Sequence, residues 1–480
     1  MATSSYAVQY VPSSQQSTPG TPHLEPLEVL NHVKFVRVQW VDLINNIRFR
    51  VLPIEYFKKV LKTSRPGISV AKVALGLVYL HAADGFSPIG EYLYVVDLSS
   101  LKICGYAPGH ASVMGWFQEK VPKPFRPLDF FTVDLCPRTI LKKVLEDAKK
   151  TSGVEFLVGF ETEFILLWKA DASGVLPVDM HGWSNSQALY TGHQGSIVLE
   201  EIVQALTEAG VEVQMYHSEA APGQYELITG PLPPLEAADA LIHTRETIYN
   251  IANKYKMRAT LAPRLFADSC GSAAHTHMSV HSSDPKLREP STTPNLTKAE
   301  AGFLAGVLRH LPALTLLTLP TDASYARMVD GAWSGGTYVS WGTDNREAPV
   351  RLTNEVDPGS RNFELKTVDG TANPYLVLAG VLGTGHIGIQ DEYELKAKNC
   401  NGILPAALMT EEQRKEFGVD SRLPLNLEQA RVVFQQDEVV SSLFGSEFVE
   451  KFVSVNKVLS EELEKDAPPA VKQQRLVDMY

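Results

Sequence analysis

Three short segments of this 480-residue chain place ionisable groups two residues apart. They are Glu161 and Glu163 in GFETEF, His275 and His277 in AHTHMSV, and Glu364 with Lys366 in NFELK. In a strand, residues i and i+2 share a face and lie about 6.5–7 Å apart along it, so each pair projects together. A fourth segment, HSEAAPGQYE, offers Glu219 and Glu226 around a Pro-Gly turn. Convergent carboxylates repel, so such groups must be protonated, salt-bridged or metal-bound. An oxygen-rich set with an imidazole suits Mg²⁺ or Mn²⁺. An isolated pair is more often one side of a solvated sheet, and spacing does not bring four elements together. A cationic set follows: Arg327 in DASYARM, Arg346 and Arg351 in DNREAPVRL, and Lys366. Arginine forks match phosphate and carboxylate oxygens, although any one arginine also fits an ordinary surface ion pair. Metal-binding acids plus arginines, without a covalent nucleophile, suit phosphoryl transfer, where the protein positions groups and neutralises charge.

The elements that must position these residues are legible in the pattern. VKFVRVQWVDLINNIRFRVLP reads as two strands around a turn at Asn45-Asn46, and EYLYVVDL as another. The Pro-rich stretch KVPKPFRPLDFF reads as a linker. Pro137 then opens a helix that stops near Gly153. EFLVGFETEFILLW is a strand, SIVLEEIVQALTEAG an amphipathic helix ending at Gly210, and VEVQMYHSEA a strand. A long helix follows in LEAADALIHTRETIYNIANKYKM, then short strands at AHTHMSVH, VRLT and NFELKTV, and amphipathic helices from Leu427 onward. The outline is a small β-rich domain followed by a larger α/β or α+β domain.

Composition excludes several classes. The net charge of -11 argues against a broad nucleic-acid surface and a polybasic membrane patch. No apolar run approaches the ~20 residues of a membrane span, and the N-terminus lacks the apolar core of a signal peptide. Residues 1–25 read as a disordered Ser/Gln/Pro/Thr tail. Cys104, Cys136, Cys270 and Cys400 are scattered and form no CxxC pair, which fits a reducing, cytoplasmic setting. Gly383–Gly388 matches G-x-G-x-x-G, but it follows a helix-like apolar run, so close helix packing is the better meaning than a dinucleotide site. There is no Walker-type loop.

Taken in order, the segments resemble the glutamine synthetase family, closest to its fluG-like branch. GFETEF looks like the family's G-x-E-x-E strand, HSEAAPGQYE its H-x-E…G-Q-x-E segment, and CGSAAHTHMSV its G-S-x-x-H-x-H strand. SYARM, NREAPVRL, NFELK and DGTANPYL follow in family order. The resemblance implies an α+β fold: a β-grasp domain over residues 26–122, then a catalytic domain over 123–480 with a curved, mainly antiparallel sheet flanked by helices. It implies homo-oligomeric rings, usually stacked in pairs, with active sites between subunits. The implied substrates are ATP, a glutamate-like acid, and ammonia or an amine; the implied cofactors are two or more Mg²⁺ or Mn²⁺ ions. By the same resemblance Glu163, Glu219 and Glu226 hold one ion, and Glu161, His275 and Glu364 a second. Arg346 and Arg351 face phosphates, and His277 lies near the nucleotide without being a direct ligand. Gly271 and Arg327 lie near the amino-acid substrate. The expected reaction is phosphorylation of a γ-carboxylate followed by attack of an amine on the acyl phosphate.

The sequence departs from that pattern at three places. Where family members that use ammonia carry a flap glutamate, this chain reads MVDGAWSGGTY, with Trp333 near the corresponding place. The family's arginine two residues after the last metal glutamate is Lys366, a point charge in place of a fork. The N-terminal acid that helps bind ammonium has only a loose counterpart, Asp84 in HAADGFSP. All three changes fall on the acceptor and substrate side. They favour a ligase with an organic amine acceptor. The alternatives are an ammonia-using glutamine synthetase and a catalytically weak scaffold or regulatory protein.

Overall fold

The computed structural model describes residues 7–15, 26–122, 131–169, 175–331, 335–402 and 404–480. Most of the Pro-rich stretch expected as a linker, and Trp333, lie outside them. The N-terminal region forms a four-stranded sheet in the order Ile47–Pro53, Phe35–Val41, His110–Val113, Lys102–Ile103. Its central pair is parallel, whereas the hairpin around Asn45 is antiparallel. Asn45 has a φ of 67°, the left-handed conformation that Asn tolerates and this turn needs. A three-stranded sheet, Gly67–Ala71, Glu91–Val96 and Gly115–Glu119, packs beside it.

A nine-stranded sheet dominates the rest of the chain. Its main path runs Val213–Ser218, Gln224–Thr229, Val154–Trp168, Thr276–Ser282, Asn362–Leu365, Val350–Thr353, Trp341–Thr343. Every neighbouring pair is antiparallel except the last, as expected of a mainly antiparallel sheet. The long strand Val154–Trp168 is buried along nearly all its length because it passes between two apolar clusters. Val154, Phe156, Val158 and Phe160 face one core; Phe164 and Leu166 enter the other. Glu161 and Glu163 fall on the opposite face from these residues by strand alternation.

Helices cover the sheet. Pro137–Ser152 stops at Gly153, whose φ of 60° is the left-handed helix stop expected from glycine. The helices Lys298–Thr318 and Pro374–Gln390 lie against each other along most of their length. The glycine-rich motif sits inside the second of them and serves this contact. A Cβ on Gly388 would lie 2.3 Å from the Gly302 carbonyl oxygen, and one on Gly306 2.2 Å from that of Thr384. Lys298–Thr318 is also long and apolar enough to cross a membrane, which the sequence reading did not anticipate. It is a core helix, almost wholly buried in the protein.

Of the stretch read as a tail, only residues 7–15 are among the described residues. Residues 7–15, placed within a disordered tail, lie along the surface of the larger region. Gln9 donates to Asp357 at 3.3 Å, Tyr10 to Glu212 at 2.7 Å and Ser14 to Glu155 at 2.5 Å. Short polar side chains can tie down a segment that has too few apolar groups to build a core of its own.

Candidate active site

Strand register assembles the site. Glu163 stands opposite Glu226 across one edge of the long strand, and Gly159 stands opposite His277 across the other. His277 is in turn opposite Glu364, and Glu364 opposite Arg351. Directly opposed residues share a face, so one face of five strands carries these ionisable groups, with Glu161, two residues from Gly159, joining His277 to the Glu163 side of the row. His217, on the outer strand, is opposite Glu226 and extends it.

Two groupings result. In the first, ligand atoms of Glu161, His277 and Glu364 lie within 4.8 Å of one another. His277 Nε2 is 2.9 Å from Glu161, and its Nδ1 is 2.8 Å from Asn362 Oδ1. In the second, His217, Glu219 and Glu226 meet the same limit. His275 stands between them, its Nδ1 2.7 Å from Glu161, 3.5 Å from Glu364 and 3.8 Å from Glu163. Glu163 is oriented from behind: its Oε2 accepts from Gln224 at 3.0 Å and from the Ala273 N–H at 2.9 Å. That leaves its other oxygen to face the row.

The electrostatics of the two groupings differ. Burial, reinforced by Glu161, Glu163 and Glu219, pushes the Glu226 carboxyl up to about 10. Burial and the Glu163 charge also raise Glu219. Among the described residues, neither Glu219 nor Glu226 has an ion pair with a lysine or arginine; His217 is their only such partner, at 4.0 and 3.9 Å. The first grouping is compensated internally. Burial pulls Glu364 up, but His275, His277 and Lys366 outweigh it and hold the carboxyl at about 2. Glu161 is held well below the usual range, because His277 and His275 outweigh its burial. Burial lowers His277, yet Glu161 and Glu364 leave it raised overall.

The anticipated acids and histidines are thus brought together, and the structure places the other expected residues as follows. His277, expected near the nucleotide, lies 2.9 Å from Glu161 in the tighter grouping, its position opposite Gly159 aiming it there, while His275, expected as a ligand, reaches the same carboxylate at 2.7 Å. Lys366, expected at a substrate carboxylate, donates to Glu364 at 2.9 Å and lies 3.3 Å from His275. A buried carboxylate so close captures a flexible ammonium. Arg351, expected at phosphate, places Nε 2.6 Å from the other Glu364 oxygen. Arg327, expected near the amino-acid substrate, is 1% exposed and donates to the Val368 and Lys366 carbonyls.

Gly271 does adjoin Arg327: a Cβ there would lie 3.1 Å from that of Arg327. Arg346 is exposed on the turn after Trp341–Thr343. Asp84 is exposed, and among the described residues nothing bonds it to the acidic row. His217 was missed as a candidate, although the H-x-E spacing to Glu219 carried the signal.

Oxygen donors with interspersed imidazoles, gathered around carboxylates that burial leaves uncompensated, fit a divalent cation of the Mg²⁺ or Mn²⁺ kind. A mixed sheet edged by an N-terminal sheet region, with this row on its inner face, defines the glutamine synthetase class of ligases. Residues 134–472 match the family description "Glutamine synthetase, catalytic domain", and the chain belongs to that family.

Protein fluG of Emericella nidulans is 34% identical over 439 residues, covering 90% of this chain; the chain spans only 47% of that protein's length. A glutamine synthetase of Methanocaldococcus jannaschii is 31% identical, over 89% of this chain and 91% of its own. Gamma-glutamylpolyamine synthetase GlnA3 of Streptomyces coelicolor is 30% identical, over 77% of each. A solved structure described as a novel glutamine synthase homolog shares the fold, with a TM-score of 0.76 at 24% identity, over 96% of this chain and 100% of that one.

Proposed function

We propose that this chain is an ATP-dependent ligase that joins a glutamate-like acid, through its γ-carboxylate, to an organic amine. The observation that carries the reading is the meeting of Glu163, Glu219, Glu226 and His217 on one buried sheet face, with Glu219 and Glu226 paired to no lysine or arginine among the described residues. His217, Glu219, Glu226 and the outward oxygen of Glu163 would hold one cation; Glu161 and Glu364, with His275 or His277, offer a second position. Bound Mg²⁺ or Mn²⁺ would neutralise phosphate charge and polarise the phosphoryl group being transferred. Gln224 and the Ala273 amide fix the direction of Glu163, which supports a preformed geometry. Arg346, exposed on the turn after Trp341–Thr343, would supply a fork for phosphate oxygens. A carboxylate is a poor acyl donor, and phosphorylation gives it a leaving group that an amine displaces. The site must exclude water at that stage.

The acceptor side supports an amine over ammonia. Asp330 is the only acid between Arg327 and Trp341. It pairs with Arg422 at 2.5 Å and accepts from Thr337, so it is turned away from any role as a base. A relative of this chain is named a gamma-glutamylpolyamine synthetase. We extend the proposal to a ring of subunits, in which Asp84 would serve the neighbour's site; light scattering would measure the assembly.

The test is phosphate release with ATP, glutamate, Mg²⁺ and a panel of amines. Amine-dependent turnover is expected, abolished by Glu161→Gln; turnover on ammonia alone would reassign the chain as a glutamine synthetase. A second reading, a scaffold with weak chemistry, is favoured by the capture of both Glu364 oxygens by Lys366 and Arg351. Silence with every amine from a folded protein would support it.

A further inference from the structure

A cavity of about 360 Å³ lies apart from the acidic row, between the Asn45-Asn46 turn, the helix Pro234–Lys254, the strand Met257–Thr260 and residues 478–480. Met257 is opposite Trp168, five residues beyond Glu163 on the long strand, so the two places are about 16 Å apart along it. The volume is within the range of small-ligand pockets, roughly 300–1,000 Å³. Arg245 lines it and is 3% exposed.

Arg245 is surrounded differently from two other buried arginines, Arg138 and Arg361. Arg138 meets both oxygens of Asp239, at 3.0 and 2.6 Å. Arg361 meets both of Glu300, at 2.8 and 2.7 Å. Arg245 has no carboxylate within ion-pair distance among the described residues. One of its nitrogens donates to Asn45 Oδ1 at 3.2 Å and, weakly, to the Ala372 carbonyl at 3.5 Å, while its Nε–H finds no acceptor. Asp369 acts on it only through space; a buried guanidinium with no carboxylate in contact is costly, and the deficit points to an anion supplied from outside.

The other charged groups lining the cavity are already engaged. Arg258 pairs with Asp478 at 3.1 Å, Lys169 donates to Asn253 at 2.6 Å, and Glu246 faces Arg37 at 3.9 Å. Tyr249 and Asn46 also line the space, and neither side chain makes a hydrogen bond among the described residues.

We propose that this cavity binds a small organic carboxylate, which forks onto Arg245 and whose polar body hydrogen-bonds Tyr249 and Asn46. Such a ligand would sit where the N-terminal hairpin meets the catalytic sheet, through Asn45, which donates to the Gly370 carbonyl at 3.0 Å.

Calorimetric titration of the full chain with lactate, glycerate and N-acetylglycine, alongside inorganic phosphate, tests the proposal. At least one of the carboxylates is expected to bind with a Kd of about a millimolar or tighter. Arg245→Met should weaken binding at least about tenfold, the loss of a charge-assisted pair. Asn46→Asp, which sets a carboxylate in the cavity wall without deleting a buried group, should weaken it similarly and carries the test should Arg245→Met not fold. Neither change should alter Mn²⁺ binding at the acidic row, which separates failure here from failure of the ligase reading. Carboxylate binding unaffected by both changes, no binding by any of the three acids, or binding of phosphate alone would each overturn it.

Discussion

Glu226 is the residue whose environment is most at odds with its charge. Its folded value near 10 lies above its unfolded value of 4.5. Its contribution therefore favours folding at low pH and is lost as pH rises between those values. His277, also raised, acts in the same direction above 6.5. Glu161 and Glu364 are depressed, so their contributions are lost only as pH falls below about 4.5. Between about pH 6 and 9 the metal-free protein is expected to lose stability as pH rises. Saturating Mn²⁺ should flatten that slope, and Glu226→Gln should flatten it in part. Urea midpoints at the two pH values, in chelator and in Mn²⁺, check this; a metal-free midpoint that rises with pH would refute it. At this scale the sequence was informative about which residues are acids on a shared face, since a two-residue spacing in a strand leaves no other geometry. It was silent on which histidine faces which carboxylate. That depends on Gly159 lying opposite His277, a register set by packing between segments more than a hundred residues apart.

At the scale of elements, the glycine-rich motif shows how a signature can be disarmed by its context. A periodic apolar run before Gly383 marked a helix interior, and the structure uses the missing Cβ atoms for backbone contact. Gly306→Ala would drive a methyl group against the Thr384 carbonyl oxygen, where neither helix can yield without moving the other. Overpacking of this kind costs about 1–3 kcal/mol. A lowered urea midpoint with unchanged Mn²⁺ affinity is the expected outcome, and an unchanged midpoint would show that the helices part readily. The strands and most helices were legible from alternation, proline starts and glycine stops. The nine-stranded order was not, because neighbours such as Thr276–Ser282 and Asn362–Leu365 are joined only through long intervening segments.

At the scale of the molecule, the N-terminal sheets and the catalytic region share one apolar core, running from Leu30 to Tyr480. Arg138 is the polar rivet between them. It meets Asp239 of the long helix, Asp97 at 3.0 Å and the Gly115 carbonyl at 3.1 Å. Arg138→Met would strand two carboxylates, one of them buried, and should cost about 3–5 kcal/mol, the range for breaking a buried pair from one side. The loss should appear as a single cooperative transition at lower denaturant if the two regions unfold together, and as two separated transitions if the shared core is not a unit. The contacts of residues 7–15 were not legible because composition reports the lack of a private core, whereas three hydrogen bonds to a neighbouring surface leave no compositional mark.

The row of ionisable groups depends on parity along the long strand. Deleting one residue ahead of Phe160 would rotate every later side chain half a turn, presenting Phe160, Thr162 and Phe164 on the face that carries the ionisable row and driving both acids into hydrocarbon. Length change within that strand is therefore all-or-nothing for this protein, whereas the connections between strands can lengthen or shorten without disturbing the chemistry. Insertions in kindred chains should accumulate in those connections and spare the stretch from Val154 to Trp168.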